Sequence, residues 1–282
     1  MTGELKIISA ASVTLEEFAA AFVAAFSGYF FPMALNAELL SRRVRFEHLD
    51  ISHSLLAYDA DRLVGMAMLG LRRDVAWVGG FGITPEYRGR GRAHRLMTAL
   101  IEEARRCRAR TLTLEVLRQN SAAIRLYERA GMTAARDLII YERVADKEGA
   151  ASGSDSTARL LEAPPVELLQ HFQRLHVHPP AWQRDLAALL VMEEVRGLYM
   201  GERERPEAYV LFREGPNDKT YIVDLAARHP EDAHALCAGV TAQAGLRSLR
   251  IVNEPEGSIF CAALLAHGFV EAERQHEMRL AL

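Results

Sequence analysis

The sequence predicts an α/β chain with mixed sheets, built as two tandem copies of one unit. Three observations carry this reading. Residues 54–83, SLLAYDADRLVGMAMLGLRRDVAWVGGFGI, form three apolar runs separated by turn residues at Asp59–Arg62 and Arg72–Asp74, and a helical pattern follows at once. Residues 196–226, RGLYMGERERPEAYVLFREGPNDKTYIVDLA, repeat that order and are again followed by a helix. Each half then closes a later helix with glycine and an apolar residue, Gly131-Met132 and Gly268-Phe269.

The elements follow in order. A strand near 4–9 precedes helices near 14–26 and 36–47. After the three strands, Leu96, Met97, Leu100, Ile101 and Ala104 recur at helical spacing. TLTLEV at 111–116 alternates as a strand, with Thr113 and Glu115 on one face and Leu112, Leu114 and Val116 on the other. A helix over 121–130 and a strand near 135–144 complete the first copy. The stretch 147–157, KEGAASGSDST, has no large apolar side chain and reads as a linker. It divides the chain into domains 1–146 and 158–282. In the second copy a helix over about 230–243, the strand SLRIV, a helix over 257–267 and a last strand repeat the scheme.

Composition narrows the function classes. The 282 residues carry a net charge of −3, so any basic site is local and a nucleic-acid partner is not expected. The basic run RRCRAR at 105–110 reads as the solvated end of a helix. Cys107, Cys237 and Cys261 are odd in number and far apart, which fits neither a disulfide framework nor a metal knuckle. HVHPP at 176–180 has no cysteine or carboxylate at ligand spacing and reads as a loop before a Pro-initiated helix, so no metal is expected. The start, MTGELKIISA, lacks the order of a signal peptide, and the apolar stretch 18–35 is broken by Ser27-Gly28 and Pro32. A cytoplasmic protein without membrane partners is expected.

One stretch carries the chemistry. In GFGITPEYRGRGRAHRLM, residues 80–97, a strand hands over to a helix through Arg88, Gly89, Arg90, Gly91, Arg92 and Ala93. Unpaired N–H groups and the positive dipole end make a helix N-terminus an anion site. Glycine permits close approach and positive φ, and arginines add charge-assisted donors. The segment reads as a diphosphate cradle. It is not a P-loop, because Gly-Arg-Ala stands where Gly-Lys-Ser/Thr is needed. It is not a dinucleotide fingerprint either, because His94 occupies the third glycine position.

The segment resembles the acetyl-CoA loop of the GCN5-related N-acetyltransferases, Arg/Gln-x-x-Gly-x-Gly/Ala, at Arg88, Gly91 and Ala93. The preceding GGFGITPEYRG resembles the family's splayed strand, and LEVLRQNSAAIRLYERAGM resembles its second motif, with Asn120, Ala123, Leu126, Tyr127 and Gly131 in register. The resemblance is strong over 1–146 and rests on architecture alone over 158–282. It implies two tandem acyl-CoA N-acyltransferase folds, acetyl-CoA as co-substrate, and transfer of acetyl to a primary amine by direct attack in a ternary complex. It implies cofactor contacts at Phe81, Gly82, Ile83, residues 88–93, Asn120 and Tyr127, with a strand N–H near Ile83 facing the thioester oxygen.

Tyr127 matches the family tyrosine and is the general-acid candidate; its other reading is an aromatic packed in its helix. Glu115 is the base candidate. It lies twelve residues before Tyr127, a spacing similar to that in the ribosomal-protein N-terminal alanine acetyltransferases, and it also reads as a structural carboxylate or a substrate anchor. Glu47, His48 and Asp50 are weaker candidates. Asn120 contacts the cofactor, caps the following helix, or does both. Phe26, Tyr29, Phe30 and Phe31 read as a hydrophobic acceptor wall or as core.

In the second half, RHPEDAHALCAGV offers no turn glycine, and Glu231 and Asp232 would repel a diphosphate. Gly257 stands at the Asn120 position and Leu264 at the Tyr127 position. This copy is expected to be degenerate and non-catalytic, packing against the first and shaping its groove. A non-catalytic acyl-CoA sensor is the alternative function. A small-molecule or peptide amine, an O-acetyl acceptor, and a monomeric or homodimeric state are all compatible with the sequence.

Overall fold

The computed structural model describes residues 5–144, 159–215, 219–244 and 247–282. The linker expected at 147–157 lies outside these residues. Contacts divide the chain into two compact units, Met1–Ala135 with His276–Leu282, and Arg136–Gln275. The chain trades strand segments between its halves: residues 136–143 belong to the second unit and 276–282 to the first.

In the first unit, β1 (Leu5–Ser9) and β2 (Leu55–Asp59) pair antiparallel, followed by β3 (Arg62–Arg72) and β4 (Val75–Ile83). β5 (Thr111–Leu117) runs parallel to β4. The tight turns hold Ala60 and Arg73 at positive φ, at the turn positions expected from the sequence. α1 (Leu15–Ala25) begins in a capping box between Thr14 and Glu17. α2 (Ala37–Phe46) is capped by Asn36. α3 (Arg92–Arg106) buries Leu96, Met97, Leu100, Ile101 and Ala104, and α4 (Ser121–Arg129) ends before Gly131 in the left-handed region. The core joins α3, β2 to β5, Tyr127 and Met278.

β6 (Thr133–Arg143) pairs antiparallel with β11 (Ser248–Pro255) inside the second unit. Outward from β11 that sheet runs β10 (Lys219–Ala227), β9 (Arg205–Glu214), β8 (Arg196–Glu202) and β7 (Leu161–Ala163). α5 (Pro165–Leu169), α6 (Phe172–Leu175) and α7 (Leu186–Leu189) are short. α8 (Pro230–Ala244) and α9 (Ile259–Ala266) pack on the sheet, and β12 (Val270–Ala281) ends the chain. The helix expected from 257 begins two residues later because Gly257 is left-handed and Ser258 caps at its side chain. The prolines of 176–180 do not start an α-helix. A 3₁₀ turn, Trp182–Arg184, follows them, and Asp185 caps α7.

Both units share one irregularity. In the first, the β3–β4 register skips Gly79, between Met68↔Gly80 and Leu69↔Val78. In the second, the β9–β10 register skips Val223, between Ile222 and Asp224. Each bulge falls just where the strand parts from its parallel neighbour. Among the described residues no helix is long and apolar enough to cross a membrane, and no group of three or more His, Cys, Asp or Glu could hold a metal.

Candidate active site

β4 and β5 pair only at Val75↔Thr111, Ala76↔Leu112 and Trp77↔Thr113. Beyond Trp77 they diverge while β4 stays on β3 through Ile83. The backbone parity follows from one bond. Thr84 N–H donates to Val64 O at 2.9 Å, opposite it in the register. Antiparallel ladders alternate, so Gly82 and Gly80 also bond toward β3. Phe81 and Ile83 therefore turn their N–H and C=O groups into the opening. Ile83 O accepts from Arg88 Nε at 2.9 Å. The N–H groups of Phe81 and Ile83 and the carbonyl of Phe81 form a strand edge for an extended amide ligand.

The edge is narrow by design of its glycines. A Cβ on Gly82 would lie 2.9 Å from Ala25 Cβ and 3.0 Å from Ala25 O, so α1 packs directly on this backbone. The bulge carbonyl of Gly79 accepts from Arg43 Nη2 at 2.9 Å, and Arg43 also pairs with buried Glu47 at 2.7 Å. Burial pushes the Glu47 carboxyl up against the opposing pull of Arg43 and Arg72. Asp50 bonds the His53 ring at 2.9 Å, and His48 sits at positive φ.

At the loop, Gly89 and Gly91 have φ of +74° and +73°, and a Cβ on either would meet nothing within 4 Å. Conformation rather than crowding requires glycine here. Gly91 is the N-cap of α3, no side chain caps it, and no acid lies in the first turn. The first-turn N–H groups and the open surface above them fit a diphosphate. The arginines divide the work. Arg90 and Arg95 are exposed. Arg92 is buried and pairs with Asp59 at 3.2 Å, and Ala93 packs on the core. Arg88 is bonded to three carbonyls, so the loop offers its backbone and Arg90 rather than four free guanidinium groups.

Tyr127 is buried beside the opening, its ring edge-on to Phe81 at 6.2 Å. Burial, with Tyr29 nearby, raises its phenol well above 10, so it stays protonated at neutral pH. Glu115 stands on β5 two residues past the last β4 pair, and its carboxylate accepts from Trp77 Nε1 at 2.8 Å. Asn120 caps α4 through Ala123 N–H at 3.2 Å. Tyr29 contacts Phe26, Phe30 and Phe31, each at 5.2 Å and near right angles, and Phe30 is 50% exposed. Sequence reasoning missed Trp77 and Arg43 as supports. Trp77 had a signal, since a tryptophan opposite Thr113 reaches a polar residue two places on. Arg43 had none, because its partner carbonyl is 36 residues away.

The second unit has the same opening with different contents. β10 and β11 pair from Lys219↔Ser248 to Ile222↔Ile251 and then part. Arg184 bridges the gap, bonding Glu254 on β11 and Asp224 on β10, the latter at 3.3 Å. Asp224 also accepts from Tyr209 at 3.0 Å and faces His176 Nε2 at 3.2 Å. Burial pulls the His176 ring down, but Asp224 and the Phe172 carbonyl outweigh it and raise it overall. A shallow cleft beside Arg184 is walled by Leu175, Pro180, Leu225 and Phe260. At the start of α8, Glu231 and Asp232 occupy the first turn.

Comparison with known proteins bears on the fold and on the family of the first part of the chain. Residues 16–132 match the acetyltransferase (GNAT) family model. No curated protein matches the chain. Among solved structures, a GCN5-related N-acetyltransferase from Sphaerobacter thermophilus is 18% identical, with a TM-score of 0.72 over 98% of this chain and 95% of that one. A tandem GNAT protein from the clavulanic acid biosynthesis pathway is 16% identical, with a TM-score of 0.69 over 98% of each chain. A GCN5-related N-acetyltransferase from Anabaena variabilis is 16% identical, with a TM-score of 0.66 over 99% of this chain and 73% of that one. The same bulged and splayed sheet recurs in both units, with a glycine-bearing loop in the first and a changed loop in the second: residues 16–132 match the GNAT acetyltransferase family, and the chain as a whole has the fold of GNAT structures that include a tandem one.

Proposed function

We propose that the first unit transfers acetyl from acetyl-CoA to a primary amine by direct attack in a ternary complex. The carrying observation is the convergence at one opening of a free strand edge, an uncapped helix N-terminus, a protonated tyrosine and a held carboxylate. Acetyl-CoA supplies the activated thioester. The first turn of α3 and Arg90 bind its diphosphate, and the Phe81–Ile83 edge pairs with its amide arm. Ile83 N–H donates to the thioester oxygen, where negative charge grows during attack. Glu115 takes the proton of an amine that is mostly charged near neutral pH. Its carboxylate is kept in one orientation by the Trp77 indole. Tyr127 donates to the departing sulfur. With its phenol held above 10, it acts chiefly as a hydrogen-bond donor to the thiolate. Cys107, at the far end of α3, is remote in sequence from this opening, which argues against a covalent acetyl-enzyme.

The second unit does not turn over. Arg184 fills its opening, acids line its helix start, and Leu264 replaces the tyrosine. The aromatic wall around Tyr29 favours an acceptor with an apolar body.

The test is thiol release from acetyl-CoA with a panel containing phenylethylamine, spermidine, kanamycin and an alanine-starting peptide, in wild type and Tyr127→Phe. Amine-dependent release that falls about 10–150-fold in the variant is expected, the worth of a hydrogen bond of about 1.5–3 kcal/mol to a charged group. CoA binding with no amine-dependent release from any of these would favour the sensor.

A further inference from the structure

Arg88 opens the phosphate-loop motif, yet its guanidinium serves the other side of the unit. Nε donates to Ile83 O at 2.9 Å, and Nη2 donates to Ala25 O at 3.2 Å and Ser27 O at 2.7 Å. Ala25 and Ser27 end α1, where backbone carbonyls lack helical partners and a cation complements the dipole. Gly28 follows at φ +70°, and a Cβ there would lie 3.8 Å from Arg88 Nη1. The chain then enters the aromatic segment, in which Tyr29 packs against Phe26, Phe30 and Phe31 and acts electrostatically on Tyr127. One side chain thus ties the end of the thioester strand to the start of the acceptor wall.

We propose that Arg88 is a positioning residue for the acceptor side of the site, and not a ligand of the cofactor phosphates. Its bond to Ile83 O fixes the peptide plane beyond the donor N–H, and its two bonds to α1 fix the entry of the 26–31 segment. This rests on the reading of the Phe81–Ile83 edge as the thioester site. A diphosphate on the loop would not need this guanidinium, since three carbonyls already engage it and the first-turn N–H groups of α3 are uncapped.

The test uses the full chain with Arg88→Ala and Arg88→Lys. CoA alone is titrated by calorimetry, and amide exchange is followed by mass spectrometry. In Arg88→Ala the amides of 26–31 are expected to exchange tenfold faster or more, while the Kd for CoA stays within threefold. Arg88→Lys, which keeps the charge but not the three-way fork, recovers part of the protection. With the panel amine that the wild type acetylates fastest, kcat/KM for the amine falls about tenfold or more, as expected when reacting groups are misplaced. A Kd for CoA weakened tenfold or more with unchanged exchange at 26–31 would make Arg88 a phosphate ligand and overturn the proposal. Unchanged exchange and unchanged kinetics would overturn it as well. If Arg88→Ala does not fold, Arg88→Lys and Arg88→Gln carry the same comparison. Failure of the wild type to bind CoA would instead remove the reading of the site, and the exchange comparison would still report on the latch.

Discussion

The bond between Trp77 and Glu115 gives a quantitative handle on the base. At 2.8 Å, an indole N–H donating to a carboxylate is a charge-assisted bond worth about 1.5–3 kcal/mol. Trp77→Phe removes the donor and keeps an aromatic ring at a site that is 2% exposed. Part of the change appears as lost stability, about 1–3 kcal/mol for a smaller ring in a packed core. That part shifts Tm and leaves turnover per folded molecule alone. If the indole orients the base, the remainder appears in kcat, as a fall of about 10–150-fold at roughly 1.4 kcal/mol per tenfold. Glu115→Gln should cost more, about 10²–10⁴-fold. The assay is steady-state thiol release for both single variants and the double variant. Trp77 acting through Glu115 predicts a double variant no slower than Glu115→Gln alone, a strongly non-additive cycle. Simple addition of the two effects, or Glu115→Gln within threefold of wild type, would refute the assignment and leave Glu115 as a strand carboxylate.

Four further outcomes are expected. Gly91→Ala places a Cβ in the left-handed region at about 1–2 kcal/mol, so CoA affinity measured by calorimetry should fall about 5–30-fold. Calorimetry should also find one CoA per chain, since only the first unit has an open slot; two equal sites would be incompatible with the Arg184 plug. Arg184→Met strands two buried carboxylates and should cost about 3–5 kcal/mol in denaturant unfolding, while adding Asp224→Asn and Glu254→Gln recovers most of the loss. His176 is raised above 6.5 in the fold, so it stabilises fully below that pH and the contribution fades as pH rises through its folded value; His176→Gln should flatten this alkaline loss in pH-dependent melts.

Much of the fold was legible because its signals are local. Helix α3 announces itself by apolar spacing, α4 by its closing Gly131, and the hairpins by turn residues at 59–62 and 72–74. The loop was legible because positive φ at two places leaves a glycine signature. The short elements α5, α6 and α7 were not, since runs of four or five residues have too few turns for a period to show. The fate of the arginines was also hidden. Arg88, Arg90 and Arg92 look alike in sequence, but strand and helix geometry send one to three carbonyls, one to solvent and one to Asp59. The trade of strand segments near 136 and 276 was hidden for a different reason: β6 and β12 end their halves in the same way, so either satisfies the same local pattern.

The shared bulge explains how one architecture yields an open slot in one unit and a closed one in the other. A bulge ends regular pairing and turns the strand away from its neighbour, which exposes backbone groups that need partners. In the first unit the residues at and after the bulge are Gly79, Gly80, Phe81 and Gly82, so three of the four lack a side chain and α1 packs against the Gly82 backbone. In the second unit the residues matching Gly79, Gly80 and Gly82 are Val223, Asp224 and Ala226, with Leu225 at the place of Phe81. Asp224 brings a buried carboxylate into the opening, and Glu254 adds a second from β11. Two carboxylates out of water demand a cation, and Arg184 supplies it from the turn after the prolines. In the function proposed above, the strand side chains and the guanidinium together take the place of an amide arm, and the start of α8 carries acids where a phosphate would otherwise sit. Loss of glycine at the bulge and acquisition of the ion network are one coupled change. Arg184→Met alone therefore should not restore CoA binding to the second unit, and a variant that gained it would show that the guanidinium, not the strand side chains, closes the slot.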